Sequence, residues 1–408
     1  MMLVCSFYSL SLHPNRDEKR YRTMKVAVLT LRLHSNYGGI LQAYALMTVL
    51  KRLGHEPYLV FNQNFKERNL FSRSSLYMRN ILKKVLLGQK GLEVFRERRF
   101  RREYEVVCRQ TVPFVLKYIS PRTDTVCTPV DWEMLQDKYH FDAYIVGSDQ
   151  VWRTSYTQDM PLFFFSFLKD DSVKRLSYAA SFGTDEWSFT REQTARCASL
   201  VKKFAAVSVR EKSAVDLCKN YLDVKAEWVL DPTLLLSKED YLRLVSSKSG
   251  DGDSPSRLLV YLLDKSEEKE RVVSHWERKT GLRRFYVNNP HTESGTHDLN
   301  ERIAPPVEKW LEGFASARFV VTDSFHACVF SILFHIPFCV IGNPERGMAR
   351  FHSLLSLFSL ENRLVTPADG QAIDSLDFPA IDWDRVDLEL GRLRQQSIDF
   401  LNTNLTKA

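Results

Sequence analysis

The stretch MKVAVLTLRLHSNYGGILQAYALMTVLKRLG, residues 24–54, decides the fold. Val26 to Leu31 is almost continuously apolar, as expected of a strand covered by helices on both faces. Asn36-Tyr37-Gly38-Gly39 interrupts it as a turn. Ile40 to Leu53 then sets Leu41, Ala45, Val49 and Leu53 at helical spacing, and Gly54 closes the helix. Tyr58 to Phe61 reads as the second strand. Strand, turn, helix, strand is the opening of a parallel βαβ sheet. Its layout is Rossmann-like, but G-x-G-x-x-G is missing, so dinucleotide binding is not supported.

The same rhythm continues outward. Phe141-Asp142-Ala143-Tyr144-Ile145-Val146 is a buried strand that delivers Gly147-Ser148-Asp149-Gln150-Val151-Trp152 to its carboxyl end, the edge where open α/β sheets bind ligands. Arg175 to Ala180 and Ala205 to Val209 are further strands, the latter ending at Arg210-Glu211 before a helix that opens at Ala214. Trp228-Val229-Leu230 leads to Asp231-Pro232-Thr233, where proline forces an extended or turning chain. A second series has strands at Leu258 to Leu263, Arg284 to Val287, Phe319 to Val321 and Phe338 to Ile341. Its helices are Val307 to Ala315, Ala327 to Leu333 and a final amphipathic Arg385 to Leu401.

SSKSGDGDSPS, residues 246–256, separates the two series and has linker composition. The expected organisation is a ragged extension over 1–23 ahead of a working start at Met24, a first domain over 24–245, the linker, a second domain over 257–384 and a terminal helix over 385–408. Residues 64–109 interrupt the first domain as a basic helical excursion, with Arg96, Arg98, Arg99, Arg101 and Arg102 around Phe95 and Phe100. That segment is either a solvated helical face or a surface for anionic lipid or a polyanionic chain. No nucleic-acid module accompanies it.

At 408 residues with 44% hydrophobic and 12% aromatic content, the chain has ample material for a packed core. A net charge of +7 favours anionic partners without naming one. Seven scattered cysteines with no C-x-x-C indicate neither a disulfide framework nor a zinc site, and suit a reducing cytosol. No apolar run reaches the roughly 18 residues that span a membrane. The absence of G-x-x-x-x-G-K-[ST], H-E-x-x-H and G-x-S-x-G removes P-loop, zincin and α/β-hydrolase readings.

Val320-Val321-Thr322-Asp323-Ser324-Phe325-His326-Ala327 carries the strongest chemical signal. A buried strand ends, a Ser or Asp is available to cap the next helix, and His326 stands at its first turn, where backbone N–H groups attract an anion. His326 is then either a capped structural histidine or a proton donor to the bound anion. Arg210, at another strand's carboxyl end, either pairs with Glu211 or Asp231 or turns to a carboxylate or phosphate. Arg346 and Arg350 add cations on the loop after the strand that follows His326. Asn36, Tyr37 and Gly38 occupy the first strand's edge, where glycine permits close approach to backbone.

Asn36-Tyr37-Gly38-Gly39-Ile40-Leu41-Gln42-Ala43-Tyr44-Ala45-Leu46, Phe141-Asp142-x-x-Ile145-Val146-Gly147-Ser148-Asp149-Gln150-Val151-Trp152, Ser177-Tyr178-Ala179-Ala180-Ser181-Phe182-Gly183, Ser208-Val209-Arg210-Glu211, Leu230-Asp231-Pro232-Thr233 and Thr322-Asp323-Ser324-Phe325-His326 occur in that order. Together they resemble the polysaccharide pyruvyl transferase family over about residues 25–365. The resemblance implies an α/β, GT-B-like fold of two Rossmann-like domains whose parallel sheets face an interdomain cleft. It implies transfer from phosphoenolpyruvate to a sugar of a bacterial surface or exopolysaccharide glycan, free or lipid-linked, without cofactor or metal. His326 matches the family's catalytic histidine and Arg210 its donor-holding arginine. Ser324, Phe325, Arg346 and Arg350 fall on the donor side, and Asn36, Tyr37, Gly38, Asp149 and Gln150 on the acceptor side. Many members have arginine where this chain has Ser324. The cysteine pattern and the basic segment set the expected location as cytoplasmic, peripheral at the inner membrane surface. The competing readings are a GT-B glycosyltransferase with a nucleotide-sugar donor and a catalytically silent glycan-assembly protein.

Overall fold

The structure is a computed structural model that describes residues 22–62, 103–157, 159–245, 257–292, 297–342, 347–366 and 373–406. The N-terminal extension to residue 21, the basic excursion to residue 102, the linker and Arg346 lie outside the described residues.

The first parallel sheet has β1 (Lys25–Leu29) between β2 (Glu56–Leu59) and β3 (Ala143–Val146), with β4 (Lys174–Ser177) beyond β3. β5 (Val207–Val209) and β6 (Ala226–Trp228) form a parallel pair that meets β4 through bridges at Leu176–Ala206 and Ala180–Val209. Helices α1 (Tyr37–Arg52), α2 (Val112–Tyr118), α3 (Pro129–Tyr139), α4 (Arg191–Val201), α5 (Lys212–Leu217) and α6 (Lys238–Leu242) connect these strands. The second parallel sheet runs β8 (Arg283–Phe285), β7 (Arg257–Tyr261), β9 (Phe319–Thr322), β10 (Phe338–Ile341), β11 (Leu364–Val365). Its helices are α7 (Glu267–Thr280), α8 (Val307–Ser316), α9 (Phe325–Leu333) and α10 (Ala349–Phe358), followed by α11 (Trp383–Thr406). The expected α/β, GT-B-like class with two parallel sheets is therefore the one found.

Both sheets reverse strand order at one place, between β1 and β3 in the first and between β7 and β9 in the second. Connections leave in opposite directions at such a reversal and open a crevice outside the carboxyl ends, where ligands of open α/β sheets bind. The motif residues sit at these points. Asn36 to Gly39 and Gly147 to Gln150 follow β1 and β3, and Thr322 to His326 follow β9.

One apolar core spans both halves. Of the 16 residues of α1, all but four are buried, because one face packs on its own sheet and another meets α8. Tyr37 stacks on Trp310 (centroids 5.8 Å apart), and Tyr241 meets Phe330 edge-on (4.8 Å). Helix α11 returns to the first half. The Leu230 N–H donates to Ser397 Oγ (3.0 Å), Arg394 donates to the Leu234 and Leu236 carbonyls (2.8 and 3.2 Å), and Phe400 meets Tyr178. Among the described residues, no helix is long and apolar enough to cross a membrane, and the six described cysteines are all free thiols.

Two boundaries differ from the sequence reading in ways that matter. β2 runs Glu56–Leu59 rather than 58–61, because the Glu56 N–H already donates to the Met24 carbonyl and the ladder pairs Lys25 with Glu56. α9 begins at Phe325 rather than Ala327, since Ser324 is its N-cap, so His326 lies inside the first turn.

Candidate active site

The wholly buried β9 ends at Thr322, whose hydroxyl donates to the Tyr261 carbonyl (2.7 Å) and accepts from the Ser324 N–H (3.0 Å). Ser324 Oγ then accepts from the Ala327 N–H (3.5 Å), capping α9. This fixes His326 against α1. A Cβ added at Gly38 would lie 2.0 Å from His326 Nδ1, so any side chain there displaces the imidazole. Asn36 holds that helix start, its Oδ1 accepting from the Gly39 N–H (3.2 Å). Tyr37 turns away, stacked on Trp310 and donating to the Pro305 carbonyl (3.0 Å).

His326 Nε2 is buried without a hydrogen-bond partner, 3.7 Å from Asp231 Oδ2. Asp231 also accepts from Arg210 Nη1 (2.8 Å), and from the backbone and hydroxyl of Thr233 (3.0 and 2.6 Å). Burial alone would raise the Asp231 pKa, but His326, Arg210 and Thr233 overcome it and hold the carboxyl well below the usual range. Arg210, 1% exposed, also meets Asp149 Oδ1 and Glu211 Oε1, each at 3.3 Å. Burial opposes its charge, yet Asp231, Glu211 and Asp149 keep it firmly protonated. The ion-pair reading of Arg210 is thus what the structure has, with three carboxylates instead of one.

Glu211 accepts from Ser181 Oγ (2.5 Å) through Oε1, while its buried Oε2 has no partner; burial pushes its pKa up against Arg210, Ser181 and Arg350. Phe325 carries a guanidinium near its ring from each side of the cleft, Arg210 at 4.8 Å and Arg350 at 5.7 Å. Arg350 is also buried, and that burial, with the like charge of Arg210, lowers its pKa to about 10. Arg350 is a cation whose charge is raised in energy by its surroundings. Gly347, just before it, sits so close to Gly183 that an added Cβ would lie 2.0 Å from the Gly183 carbonyl oxygen.

After β3, the Ser148 N–H and hydroxyl donate to Gln42 Oε1 (2.9 and 3.0 Å), locking the Gly147–Gln150 loop onto α1. Asp149 is spent on Arg210. Gln150 Oε1 accepts from Arg153 Nη1 (2.7 Å), and Arg153 lies over exposed Tyr156 (4.9 Å). The structure brings His326, Arg210, Ser324, Phe325, Arg350, Asn36, Gly38 and Asp149 together, with Gln150 at the edge and Tyr37 in the supporting wall. Sequence reasoning offered Asp231 only as an ion-pair partner of Arg210 and gave it no place among the site residues, because Asp-Pro reads as a turn; its contact with His326 makes it the hinge of the cluster. Sequence reasoning missed His34, which shares this edge. Its exposed ring meets Ser35 Oγ through Nδ1 (3.2 Å).

A family model for polysaccharide pyruvyl transferase matches residues 36–345, from the cap of α1 to just short of Arg350. The chain belongs to the polysaccharide pyruvyl transferase family. This pyruvyl transferase family member is accordingly a transferase. No curated protein matches the sequence. Solved structures with a similar outline include MnaA with UDP from S. aureus (12% identity, 95% of this chain and 91% of that one, TM-score 0.44). Others are UDP-GlcNAc 2-epimerase from Neisseria meningitidis bound to UDP-GlcNAc (10%, 91% and 100%, 0.42) and the glycosyltransferase SnogD from Streptomyces nogalater (10%, 92% and 95%, 0.42).

Proposed function

We propose that this family member moves the pyruvyl group of phosphoenolpyruvate onto two hydroxyls of a sugar, forming a ketal on a surface or exopolysaccharide glycan, free or lipid-linked, at the cytoplasmic side. The observation that carries the reading is the unpartnered, buried His326 Nε2 beside an ionised Asp231. A proton on that nitrogen has a counter-charge at 3.7 Å and no competing acceptor. His326 gives it to the methylene carbon of the donor, and the adjoining carbon becomes oxocarbenium-like. A first sugar hydroxyl adds to that carbon. A second displaces phosphate as the carbon–oxygen bond breaks; one hydroxyl proton returns to His326 and the other leaves with phosphate. General acid catalysis of this kind is worth roughly 10²–10⁴-fold.

Arg350 is the donor's principal cation in this scheme. Its charge, destabilised by burial and by Arg210, gains from an arriving carboxylate or phosphate. Arg210 orders Asp231 and Asp149. In a thermal-shift experiment phosphoenolpyruvate raises Tm and a uridine diphosphate sugar does not, while Arg350→Met folds but shows no phosphoenolpyruvate shift. The opposite ligand preference would overturn the donor assignment in favour of a nucleotide-sugar enzyme.

A further inference from the structure

A second recess lies beside the catalytic cluster. It is a cavity of about 130 Å³ at the carboxyl ends of β7 and β8, on the far side of β7 from the second sheet's reversal point, and against the start of α1. Ser35, Tyr37, Tyr261, Leu262, Asn288 and Asn289 line it. Gly38, next to Tyr37 in the chain, faces the His326 ring, and Tyr261 is tied to β9 through Thr322.

We propose that this cavity is a subsite for one neutral pyranose ring of the acceptor glycan. The inference rests on the glycan-modifying reading and adds where the sugar sits. Size decides first: drug-sized ligands fill about 300–1,000 Å³, so this recess takes a single ring and not a whole nucleotide sugar. The lining decides next. The rings of Tyr37 and Tyr261, whose centroids are 6.3 Å apart, give an apolar wall, while the Asn288 side-chain oxygen and the Ser35 hydroxyl give directional partners. The charges at its edge, Asp264 and Lys265, are one of each sign, which disfavours an anionic occupant.

The walls are also set in advance. The Leu263 N–H donates to Asp323 Oδ1 (2.8 Å), and Lys269 Nζ bridges Asp264 and Asp323 Oδ2 (2.6 Å to the latter). Asn288 Nδ2 donates to the Leu262 carbonyl (3.1 Å), leaving its side-chain oxygen for a ligand hydroxyl. Asn289 Nδ2 holds the Glu301 and Ile303 carbonyls (2.6 and 3.0 Å). Asp323, in the same motif as His326, is thereby a positioning residue for the loop after β7.

The test is saturation-transfer NMR on the full chain with a panel of neutral methyl pyranosides and disaccharides, with uridine as the contrasting probe. At least one sugar receives saturation, His326→Ala retains it, Leu262→Trp abolishes it by filling the recess, and Asn288→Ala weakens it several-fold. Melting curves confirm that each variant is folded, and Asn288→Ala keeps the test decisive if Leu262→Trp is not. Saturation of uridine instead of any sugar, or sugar binding indifferent to both cavity variants, overturns the proposal. Phosphate release from phosphoenolpyruvate is scored separately, so a failed donor assignment leaves a distinct signature.

Discussion

Asp231 is where stability and chemistry meet. Its carboxylate joins Arg210 to His326, and breaking one partner of a buried pair costs about 3–5 kcal/mol. Asp231→Asn therefore lowers the urea midpoint substantially at pH 7. The folded-state pKa lies below the unfolded value of roughly 3.9, so this stabilisation is present above that value and is lost progressively as pH falls from it through the folded-state pKa. The wild-type chain loses stability on acidification below about pH 4, and Asp231→Asn loses less. Equal midpoints for both proteins across that range would refute the assignment. Gly38 offers a second probe. Gly38→Ala pushes a methyl group into the His326 ring, and a displacement of about 1 Å at a reacting group can cost 10²-fold. We expect kcat to fall by about that factor with a smaller change in KM, and wild-type kinetics would contradict the contact.

Among the elements, α1 and α9 hold the site because each starts at a strand's carboxyl end and is buried nearly all round. Trp310 on α8 is the seam residue between the halves, packed on Tyr37, Phe314 and Phe330. Trp310→Ala costs about 3–5 kcal/mol in chemical denaturation; a loss below 1 kcal/mol would show that the seam carries little of the stability. These elements were legible because β1 and β9 are unbroken apolar runs ended by capping residues. α4 and α7 were not picked out, although Thr190 with Gln193 and Ser266 are caps visible in the sequence. Their apolar faces are narrow and their charged residues many, so the hydrophobic signal is weak. The joining of the Arg210–Asp231 pair to His326 was illegible for another reason. Contacts between residues so distant in the chain come from strand order, and no local pattern encodes them.

At the scale of the whole molecule, two order reversals facing each other create the site, and two glycine contacts, Gly38 on His326 and Gly347 on Gly183, set how closely the halves approach. Gly347 has φ +90° and faces a backbone carbonyl that cannot move aside cheaply. Gly347→Ala loosens this edge, which small-angle scattering reads as a larger radius of gyration; an unchanged value would show that the contact is dispensable.

The most direct test incubates the protein with phosphoenolpyruvate and a panel of free and lipid-linked glycans, and reads phosphate release together with mass gain on the sugar. The account predicts that at least one glycan gains a pyruvyl ketal with one phosphate released per ketal, and that His326→Ala abolishes both. Phosphate release without sugar modification, or full activity in His326→Ala, would contradict it.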